Sequence, residues 1–338
     1  MKVMPSIERV EPTDTATVRT LVDVQLAALA VDDPTGPPWS ARVFKLRMTV
    51  GLPVRDPGEM WSVPGDVPGG LAGGYWLQLP DLDNRNAAYL SLFVHPAARR
   101  RGLGTVLLGH AVKRAASHRR SRLAASVIEG SAADAFARQA GATVGLAEAR
   151  RVLDISRITA QHIASCREKA ATAATGYSLV SWRDRTPEEY LQGVVAMELA
   201  MNDAPSMPGH EPEVWDMQRI RDRKDGWVQA VGFRAYQLAA ICDATGEMAA
   251  LSELGVFPDT PGWGFQSNTV VARPHRGHRL GMLVKAAMIE WLAEAEPRVQ
   301  RIVTYNAASN SPMIAINQEL GFAVSGEPER LVELTVTG

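Results

Sequence analysis

The sequence predicts an α+β fold made of two tandem copies of one domain, each a mixed, mostly antiparallel α/β sheet flanked by helices. The main observation is a repeat: residues 94–107 and 271–284 read almost alike, and Arg99 aligns with Arg276 at an offset of 177 (276 − 99). The same order of predicted elements precedes each stretch, as an internal duplication requires. The chain of 338 residues also has the length of two domains of roughly 160 residues each.

The first copy opens with apolar side chains at helical spacing, which Asp14 or Thr15 can cap. Segments rich in glycine and proline predict loops, and alternating or continuous apolar runs predict strands. The predicted elements of the first copy are a helix over 17–29, loops over 32–38 and 51–74, and strands over 75–79 and 88–94.

The second copy repeats this order and continues past its basic turn. Its predicted elements are a helix over 187–201, a proline-rich loop over 205–212, strands over 234–242, 248–256 and 266–271, a helix over 282–295, a strand over 299–305 and a helix within 306–322. We expect the junction within residues 156–176, whose alanine-rich stretch could instead form a connecting helix. We therefore expect an N-terminal domain over 1–170 and a C-terminal domain over 171–338.

Composition excludes several classes of function. The 36 Lys+Arg and 37 Asp+Glu give a net charge of −1, so no global field favours nucleic acid or an anionic membrane. The 2 cysteines cannot form a disulfide framework or a cysteine zinc site, and no metal is expected. No run is apolar enough to cross a bilayer, and the first residues lack a signal-peptide core, so we expect a cytoplasmic protein.

Each repeated stretch predicts a strand, a basic turn with glycine and then an apolar helix. The first N–H groups of a helix lack internal partners and carry the positive end of the helix dipole, so such a turn can bind phosphate. Glycine allows close approach of the anion, and arginine adds charge. The Lys-Ser/Thr pair of a Walker loop follows neither Gly104 nor Gly281, which argues against nucleotide hydrolysis.

The pattern Arg-x-x-Gly-x-Gly after a valine-rich strand resembles the acyl-coenzyme A loop of the GNAT superfamily of N-acyltransferases. The first copy matches it in full at Arg99, Gly102 and Gly104, whereas the second has Arg279 where the middle glycine is usual, which predicts a differently shaped second loop. The end of the chain, Asn310 to a Leu-Gly-Phe close at 320–322, resembles the superfamily's last helix.

This resemblance implies a cofactor site in each copy, with the pantetheine arm between two strands that splay apart. The implied contacts in the first copy are Val94, Arg99, Arg100, Arg101, Gly102, Leu103, Gly104 and Thr105. Those in the second copy are Val270, Val271, Arg276, Gly277, His278, Arg279, Leu280, Gly281, Met282 and Asn310. The expected cosubstrate is acetyl-CoA.

Catalytic groups are expected in the second copy. The superfamily commonly uses a tyrosine in the last helix as acid, but Asn317 stands there in the second copy and Ala137 in the first. Glu253, on a predicted central strand, is our candidate for the base, with a solvent-facing position as the alternative. Tyr305 can act as the acid, with a packing role as the alternative. Asn317 can hold a water or orient the thiol, with a helix-surface or capping-network amide as the alternative.

Other charged residues have weaker claims on the site. His275 and His278 can carry protons or contact phosphate. The loop acids could receive a cationic substrate or simply be solvated; they are Asp32, Asp33, Asp203 and Glu211.

The sequence therefore predicts a protein that moves an acetyl group from acetyl-CoA to the primary amine of a small molecule by direct attack. We expect the C-terminal domain to catalyse and the N-terminal domain to be structural or to bind coenzyme A weakly. The alternatives are a non-catalytic acyl-CoA-binding or sensing protein, a mycothiol-synthase-like enzyme and a peptide N-acetyltransferase. Either a monomer or a homodimer is compatible with the sequence.

Overall fold

A computed structural model describes residues 6–51 and 58–336, which divide into two compact units. Unit 1 contains the described residues up to Ala147, Ser206–Glu211 and the chain from Gly326 onward; unit 2 contains Glu148–Pro205 and Pro212–Ser325. The predicted boundary near residue 170 falls inside a helix of unit 2. Residues 1–5 lie outside the described residues. They are part of the segment in which the sequence predicts no signal peptide.

The strands and helices are numbered separately in chain order. The strands are β1 (Glu8–Val10), β2 (Gly58–Pro64), β3 (Leu71–Gln78), β4 (Ala87–Val94), β5 (Arg122–Ile128), β6 (Thr143–Asp154), β7 (Tyr177–Arg183), β8 (Arg234–Cys242), β9 (Met248–Val256), β10 (Trp263–Val271), β11 (Arg301–Ala307), β12 (Ala323–Val324) and β13 (Glu329–Thr335). The helices are α1 (Thr15–Asp32), α2 (Ala41–Val50), α3 (Leu103–Ser117), α4 (Ala132–Gln139), α5 (Ala160–Ala173), α6 (Leu191–Ala200), α7 (Met217–Arg219), α8 (Gly226–Val231), α9 (Leu280–Ala295) and α10 (Ser311–Leu320). A π-helical segment, Ile220–Asp225, joins α7 to α8.

Unit 1 is a mixed sheet with helices on both faces. Its strand order is β1-β2-β3-β4-β5-β13, and its pairs are antiparallel except β4 with β5. Successive residues of a strand point to opposite faces. Trp76 therefore packs with the buried residues of α1 and α2, whereas Tyr75 and Leu77 pack with α3.

Unit 2 repeats this architecture. Its strand order is β7-β8-β9-β10-β11-β6, the pairs are antiparallel except β10 with β11, and β12 lies beside β6. Leu251 of β9 packs with α6 on one face, and Leu254 packs with α5 and α9 on the other. The α+β fold with a mixed, mostly antiparallel sheet in each unit confirms the prediction.

Each sheet takes a strand from the other half of the sequence. The C-terminal strand β13 pairs with β5 over seven residues from Glu329 to Thr335 in unit 1. Residues 148–154 of β6, from the first half of the chain, pair with β11 in unit 2. Neither sheet is therefore complete within one half of the sequence.

The predicted loop over 51–74 is wrong for its described residues, which contain β2 and the start of β3. Glycines inside β3 explain the error. A Cβ on Gly73 would lie 2.7 Å from the carbonyl oxygen of Phe93, and one on Gly74 would lie 2.5 Å from that of Trp61. Glycine is required here by the close approach of neighbouring strands, not by a turn.

A buried carboxylate joins β2 to α3 in unit 1. Glu59 accepts hydrogen bonds from Arg114 Nε at 2.8 Å and Trp61 Nε1 at 3.1 Å, and His118 Nε2 lies 2.7 Å away. Burial opposes ionisation of Glu59, but the hydrogen bonds from these three partners outweigh it and lower its pKa to about 2. The charged form of Glu59 therefore stabilises unit 1.

Replacing Glu59 with Gln should lower the free energy of unfolding of unit 1 by roughly 2 kcal/mol at pH 7, a value reduced to allow for the partly exposed Arg114. Because the folded-state pKa lies below the ordinary value of 4.5, the contribution of Glu59 is lost as pH falls from 4.5 towards 2. Denaturant unfolding at pH 7 and pH 3 should show a smaller difference between variant and wild type at pH 3. Glu11→Gln, at an exposed ion pair, is the control; equal effects of the two substitutions would contradict the prediction.

Candidate active site

In both units, the two parallel strands separate after a short paired region. In unit 2, β10 pairs with β11 from Trp263 to Phe265, and residues 266–271 of β10 have no partner on β11 within the described sheet. In unit 1, β4 pairs with β5 from Ala87 to Tyr89 and then diverges in the same way. Val94, Val270 and Val271 lie on the diverging part of their strands, beside the gap that the resemblance implied.

The turn after each gap has the same backbone conformation in the two units. Arg100 and Gly102 have φ of 62° and 85°, and the residues 177 positions later, Gly277 and Arg279, have φ of 91° and 54°. Both turns are therefore left-handed at the same two positions, although glycine occupies only one of the two in each copy. The expectation that Arg279 gives the second loop another shape is wrong.

Contacts of the Arg279 side chain offset part of the free-energy cost of its left-handed backbone. A non-glycine residue in this region costs about 1 kcal/mol relative to glycine. The guanidinium of Arg279 donates from Nη2 to both carboxylate oxygens of Glu319 on α10, at 2.6 and 2.8 Å. This ion pair is partly exposed and offsets only part of the cost.

The two helices that follow these turns begin without a side-chain cap. The N-cap residues are Gly102 for α3 and Arg279 for α9. By contrast, α1, α2, α4, α5 and α10 each have a capping side chain. The N–H groups of a helix's first turn have no intrahelical partner; here they belong to Leu103, Gly104 and Thr105 in α3 and to Leu280, Gly281 and Met282 in α9. Each helix N-terminus can therefore bind an anion such as a diphosphate.

In each loop an arginine is held by an aspartate at or just beyond the end of a helix: Asp32 is the last residue of α1, and Asp203 ends the short 3-10 turn that follows α6. Arg99 forms two hydrogen bonds with Asp32, at 2.7 and 2.8 Å, and donates from Nε to the carbonyl of Val94. Arg276 likewise donates to Asp203 at 3.0 Å and to the carbonyl of Val271.

Three of the loop acids considered as receptors for a cationic substrate therefore have other partners. Asp32 and Asp203 fix the loops through Arg99 and Arg276. Glu211 belongs to unit 1, where its backbone N–H donates to Asn84 at 2.7 Å and its carboxylate accepts from the backbone N–H of Asn84.

The strand before the second loop contains a bulge that the first copy lacks. Gln266 pairs with Leu254 and Thr269 pairs with Ser252, so β10 has one extra residue between these pairs. The corresponding pairing of β3 with β4 is regular from residue 73 to residue 78. A bulge bends a strand and redirects its backbone groups, and such bulges are frequent next to active sites.

Glu253 lies opposite this bulge and is buried. Its carboxylate accepts a hydrogen bond from Lys224 Nζ at 2.6 Å, and the same ammonium binds Glu198 of α6. Burial raises the pKa of Glu253; the charge of Lys224 acts in the opposite direction, and the charge of Glu198 raises the pKa again. Glu253 is therefore a buried carboxylate in a site of mixed charge, not a residue on a solvated sheet face.

The equivalent face of unit 1 is apolar. The offset of 177 residues aligns Trp76 with Glu253 and Met60 with Gln237. Within unit 2, Gln237 of β8 pairs with Glu253, and within unit 1, Met60 pairs with Trp76. Trp76 and Met60 are buried in one cluster with Phe93 and the residues of α1 and α2. Unit 1 thus has no carboxylate at this position.

The remaining candidate residues lie on β11 and α10. Tyr305 is on the part of β11 beyond its pairing with β10 and is partly buried. Asn317 is fully buried and donates from Nδ2 to Asn306 Oδ1 at 2.7 Å, while its own Oδ1 has no hydrogen-bond partner among the described residues. Asn310 caps α10 by accepting from the N–H of Met313.

The histidines of the second loop contact a tyrosine. His275 Nδ1 lies 3.0 Å from the hydroxyl of Tyr177, and the ring of His278 lies 5.5 Å from the Tyr177 ring.

Arg100 and Arg101 of the first loop form no ion pair with the described residues.

The sequence did not indicate Glu198, Lys224 or Gln237. Glu198 and Lys224 lie far from Glu253 in sequence, and Lys224 reaches it from the π-helical segment, whose i to i+5 bonding has no recognisable sequence pattern. Gln237 could have been found, because it is a polar residue inside an otherwise apolar strand.

Within the residues that the structure describes, no helix is long and apolar enough to cross a membrane, and no group of three or more His, Cys, Asp or Glu could hold a metal ion. The cytoplasmic location and the choice between monomer and homodimer stay predictions.

Gly277→Val should weaken acetyl-CoA binding in unit 2 by about tenfold or more, because a β-branched residue at a φ of 91° is strained by more than 1 kcal/mol. Arg279→Gly should bind acetyl-CoA about as well as wild type, since glycine adopts the left-handed conformation freely. Calorimetric titration with acetyl-CoA measures both. Unchanged binding by a correctly folded Gly277→Val protein would show that the loop does not hold the cosubstrate.

Comparison with known proteins agrees with this geometry. Residues 29–142, within unit 1, match the model of the acetyltransferase (GNAT) family. The chain is similar to the solved structure of a tandem GNAT protein from the clavulanic acid biosynthesis pathway, with 28% identity over 99% of both chains and a TM-score of 0.80. Among curated proteins, none is significantly similar to this chain.

A more distant solved structure shares the fold. The GCN5-related N-acetyltransferase from Sphaerobacter thermophilus is 17% identical over 98% of this chain and 96% of its own, with a TM-score of 0.66. Unit 1 therefore contains a domain that matches the acetyltransferase (GNAT) family, and the chain as a whole is similar to a tandem GNAT protein, in agreement with the paired loop geometry.

Proposed function

We propose that this protein is an N-acetyltransferase that moves an acetyl group from acetyl-CoA to the primary amine of a small molecule, and that unit 2 carries out the reaction. The observation that supports this most directly is the buried carboxylate of Glu253, opposite the bulge of β10, where unit 1 has Trp76. Amide formation requires removal of a proton from the amine, and only unit 2 offers a base at this position.

The residues of unit 2 fit coenzyme A. The uncapped N-terminus of α9 and its left-handed turn can hold the diphosphate, and the gap between β10 and β11 can hold the pantetheine arm. In this proposal Val270 and Val271 border the arm from β10 and Asn310 borders it from the start of α10, while Gly277, His278 and Arg279 shape the phosphate site.

The reaction proceeds by direct attack of the amine. The thioester supplies the acetyl group: the amine nitrogen bonds to the carbonyl carbon, the carbon–sulfur bond breaks, and the sulfur leaves as a thiolate that takes up a proton. Glu253 accepts the proton from the amine. A carboxylate with a raised pKa is a stronger base than a solvated one and suits this task.

We assign the acid role to Tyr305, which pairs with β6 but lies beyond the part of β11 that pairs with β10, beside the gap. Asn317 stands where the superfamily commonly has a tyrosine, and an amide cannot donate a phenolic proton. Its unpartnered Oδ1 is suited to accept a hydrogen bond from the thiol or from a water.

The pathway of a similar protein supports a small-molecule acceptor. The tandem GNAT protein that is 28% identical to this chain comes from the clavulanic acid biosynthesis pathway, which makes a small molecule. A small-molecule acceptor is therefore preferred to a peptide, and peptides belong in the acceptor panel as the alternative.

A second function is favoured for unit 1: binding of acyl-CoA without turnover. Its loop has the same conformation as that of unit 2, its helix α3 is uncapped and its strands separate in the same way. Trp76 and Met60 nevertheless fill the face where an acceptor would approach.

Glu253→Gln should lower kcat by about 10²- to 10³-fold with little change in acetyl-CoA affinity, because the variant lacks a base but keeps its volume. For the wild type, kcat/KM should rise with pH as Glu253 loses its proton, and this rise should be absent in the variant. Release of free thiol against a panel of amines and peptides measures the rates. Glu294→Gln, exposed on α9, is the control; similar kcat in wild type and Glu253→Gln would contradict the assignment.

Gly281→Trp should abolish turnover, whereas Gly104→Trp should leave kcat within about threefold of wild type, because the two substitutions obstruct matched helix N-termini and only unit 2 is proposed to catalyse. A Cβ at Gly281 already lies 3.0 Å from Ile316, and one at Gly104 lies 3.5 Å from Phe136. Loss of turnover in the Gly104 variant alone would assign catalysis to unit 1.

A further inference from the structure

The site around Glu253 contains two carboxylates and one ammonium. Lys224 Nζ is bound by Oε1 of Glu198 and by Oε1 of Glu253; the two glutamates are buried, and the Lys224 side chain is 21% exposed. The second carboxylate oxygen of each glutamate forms no hydrogen bond with the described residues. When both carboxylates are ionised, this group keeps one negative charge, and two of its acceptor oxygens are not used.

Lys224 is held in place by the segment that carries it. Asp225, the next residue, accepts hydrogen bonds from the N–H and the hydroxyl of Thr186, both at 3.1 Å, and from Arg221 at 2.9 Å. The π-helical segment is thus fixed to the chain that follows β7. These contacts hold Lys224 in a fixed position within the site.

A second side chain on the same sheet face, Gln237, has an amide oxygen without a hydrogen-bond partner among the described residues. Gln237 pairs with Glu253 across β8 and β9, so the two side chains lie side by side on one face. Gln237 is 7% exposed, and its Oε1 has no hydrogen-bond partner among the described residues. A buried amide oxygen left unpaired costs free energy unless a ligand satisfies it.

Each of these unused atoms is a hydrogen-bond acceptor. A primary ammonium group offers three N–H donors and one positive charge, which matches the carboxylate oxygens, the amide oxygen and the remaining negative charge. Neutral donors would leave the charge uncompensated in a buried place. In unit 1, Met60 and Trp76 stand in place of Gln237 and Glu253 and offer no such group.

We propose that Glu198, Glu253 and Gln237 form the binding site for the ammonium group of the acceptor, so that the substrate class is primary amines that arrive as cations. Glu198 selects this class and does not take the proton. Lys224 is a positioning residue that holds the two carboxylates together. This inference rests on the proposed function of unit 2 and adds the acceptor's charge and the residues that recognise it.

Lys224 itself is not the acceptor. Burial disfavours its charged form, but the charges of Glu253 and Glu198 outweigh burial and raise its pKa above the ordinary value. It therefore stays protonated and cannot attack a thioester. Asp225 adds a further negative charge that acts on Glu253, while its own oxygens are occupied by Thr186 and Arg221.

The first test is kinetic and uses Glu198→Gln, which keeps the size of the side chain and its ability to accept from Lys224. With acetyl-CoA and butylamine, putrescine or glucosamine as acceptor, KM for the amine should rise about tenfold or more. KM for acetyl-CoA should stay within about threefold of wild type, and the fall in kcat should be smaller than the rise in KM for the amine, since loss of the Glu198 charge also lowers the pKa of Glu253. An unchanged KM for every amine that the wild type acetylates would overturn the role of Glu198.

The second test measures binding without turnover. In Lys224→Ala the lysine side chain is removed, so butylammonium at pH 7.5 should raise the melting temperature of this variant, whereas butanol at the same concentration should not. The double variant Lys224→Ala with Glu198→Gln should lose most of this shift. Equal shifts by butylammonium and butanol, or a shift that does not depend on Glu198, would refute the ammonium site.

The two tests separate this inference from the proposed function. If no amine releases thiol from the wild type but butylammonium stabilises Lys224→Ala in a Glu198-dependent way, the ammonium site stands and acetyl transfer fails. If amines are acetylated and neither Glu198 effect is seen, acetyl transfer stands and the ammonium site fails.

Discussion

Each unit is organised by the separation of two parallel strands after three paired residues. Backbone groups that leave a sheet ladder must find other partners. In both units the turn that follows is left-handed at two positions, an arginine binds the last carbonyl of the strand, and an aspartate binds that arginine. The result is a gap beside a helix N-terminus without a cap, which is the common feature on which the proposed cofactor site depends.

The two copies keep this frame but differ on the face that would meet an acceptor. In unit 1 the face is filled by Trp76 and its apolar neighbours, which adds to the core. In unit 2 the same positions hold Glu253 and Gln237, and a bulge in β10 lies opposite the carboxylate. Burial of an ion-paired lysine with two glutamates gives little net stability, since desolvation offsets the attraction. Such a costly arrangement in one copy alone is more consistent with function than with folding.

Much of the frame could be predicted from the sequence. The bounds of β8 and β9 agree with prediction, because both are apolar runs ended by polar turns, and the repeated basic turns indicated the loops. Three features could not be predicted. Glycines in β3 hid a strand, because they serve close packing of chains. The partners of β5 and β11 come from distant parts of the sequence. Lys224 meets Glu253 through tertiary packing alone, and no local pattern encodes that contact.

The proposed function depends most on acceptor chemistry in unit 2 at Glu253. A crystal structure of the Glu253→Gln variant with acetyl-CoA and an amine that the wild type acetylates would test it most directly. The account predicts the acceptor nitrogen within hydrogen-bond distance of residue 253, with the thioester in the gap between β10 and β11. An acceptor bound beside Trp76 in unit 1, or a gap in unit 2 that excludes acetyl-CoA, would contradict it.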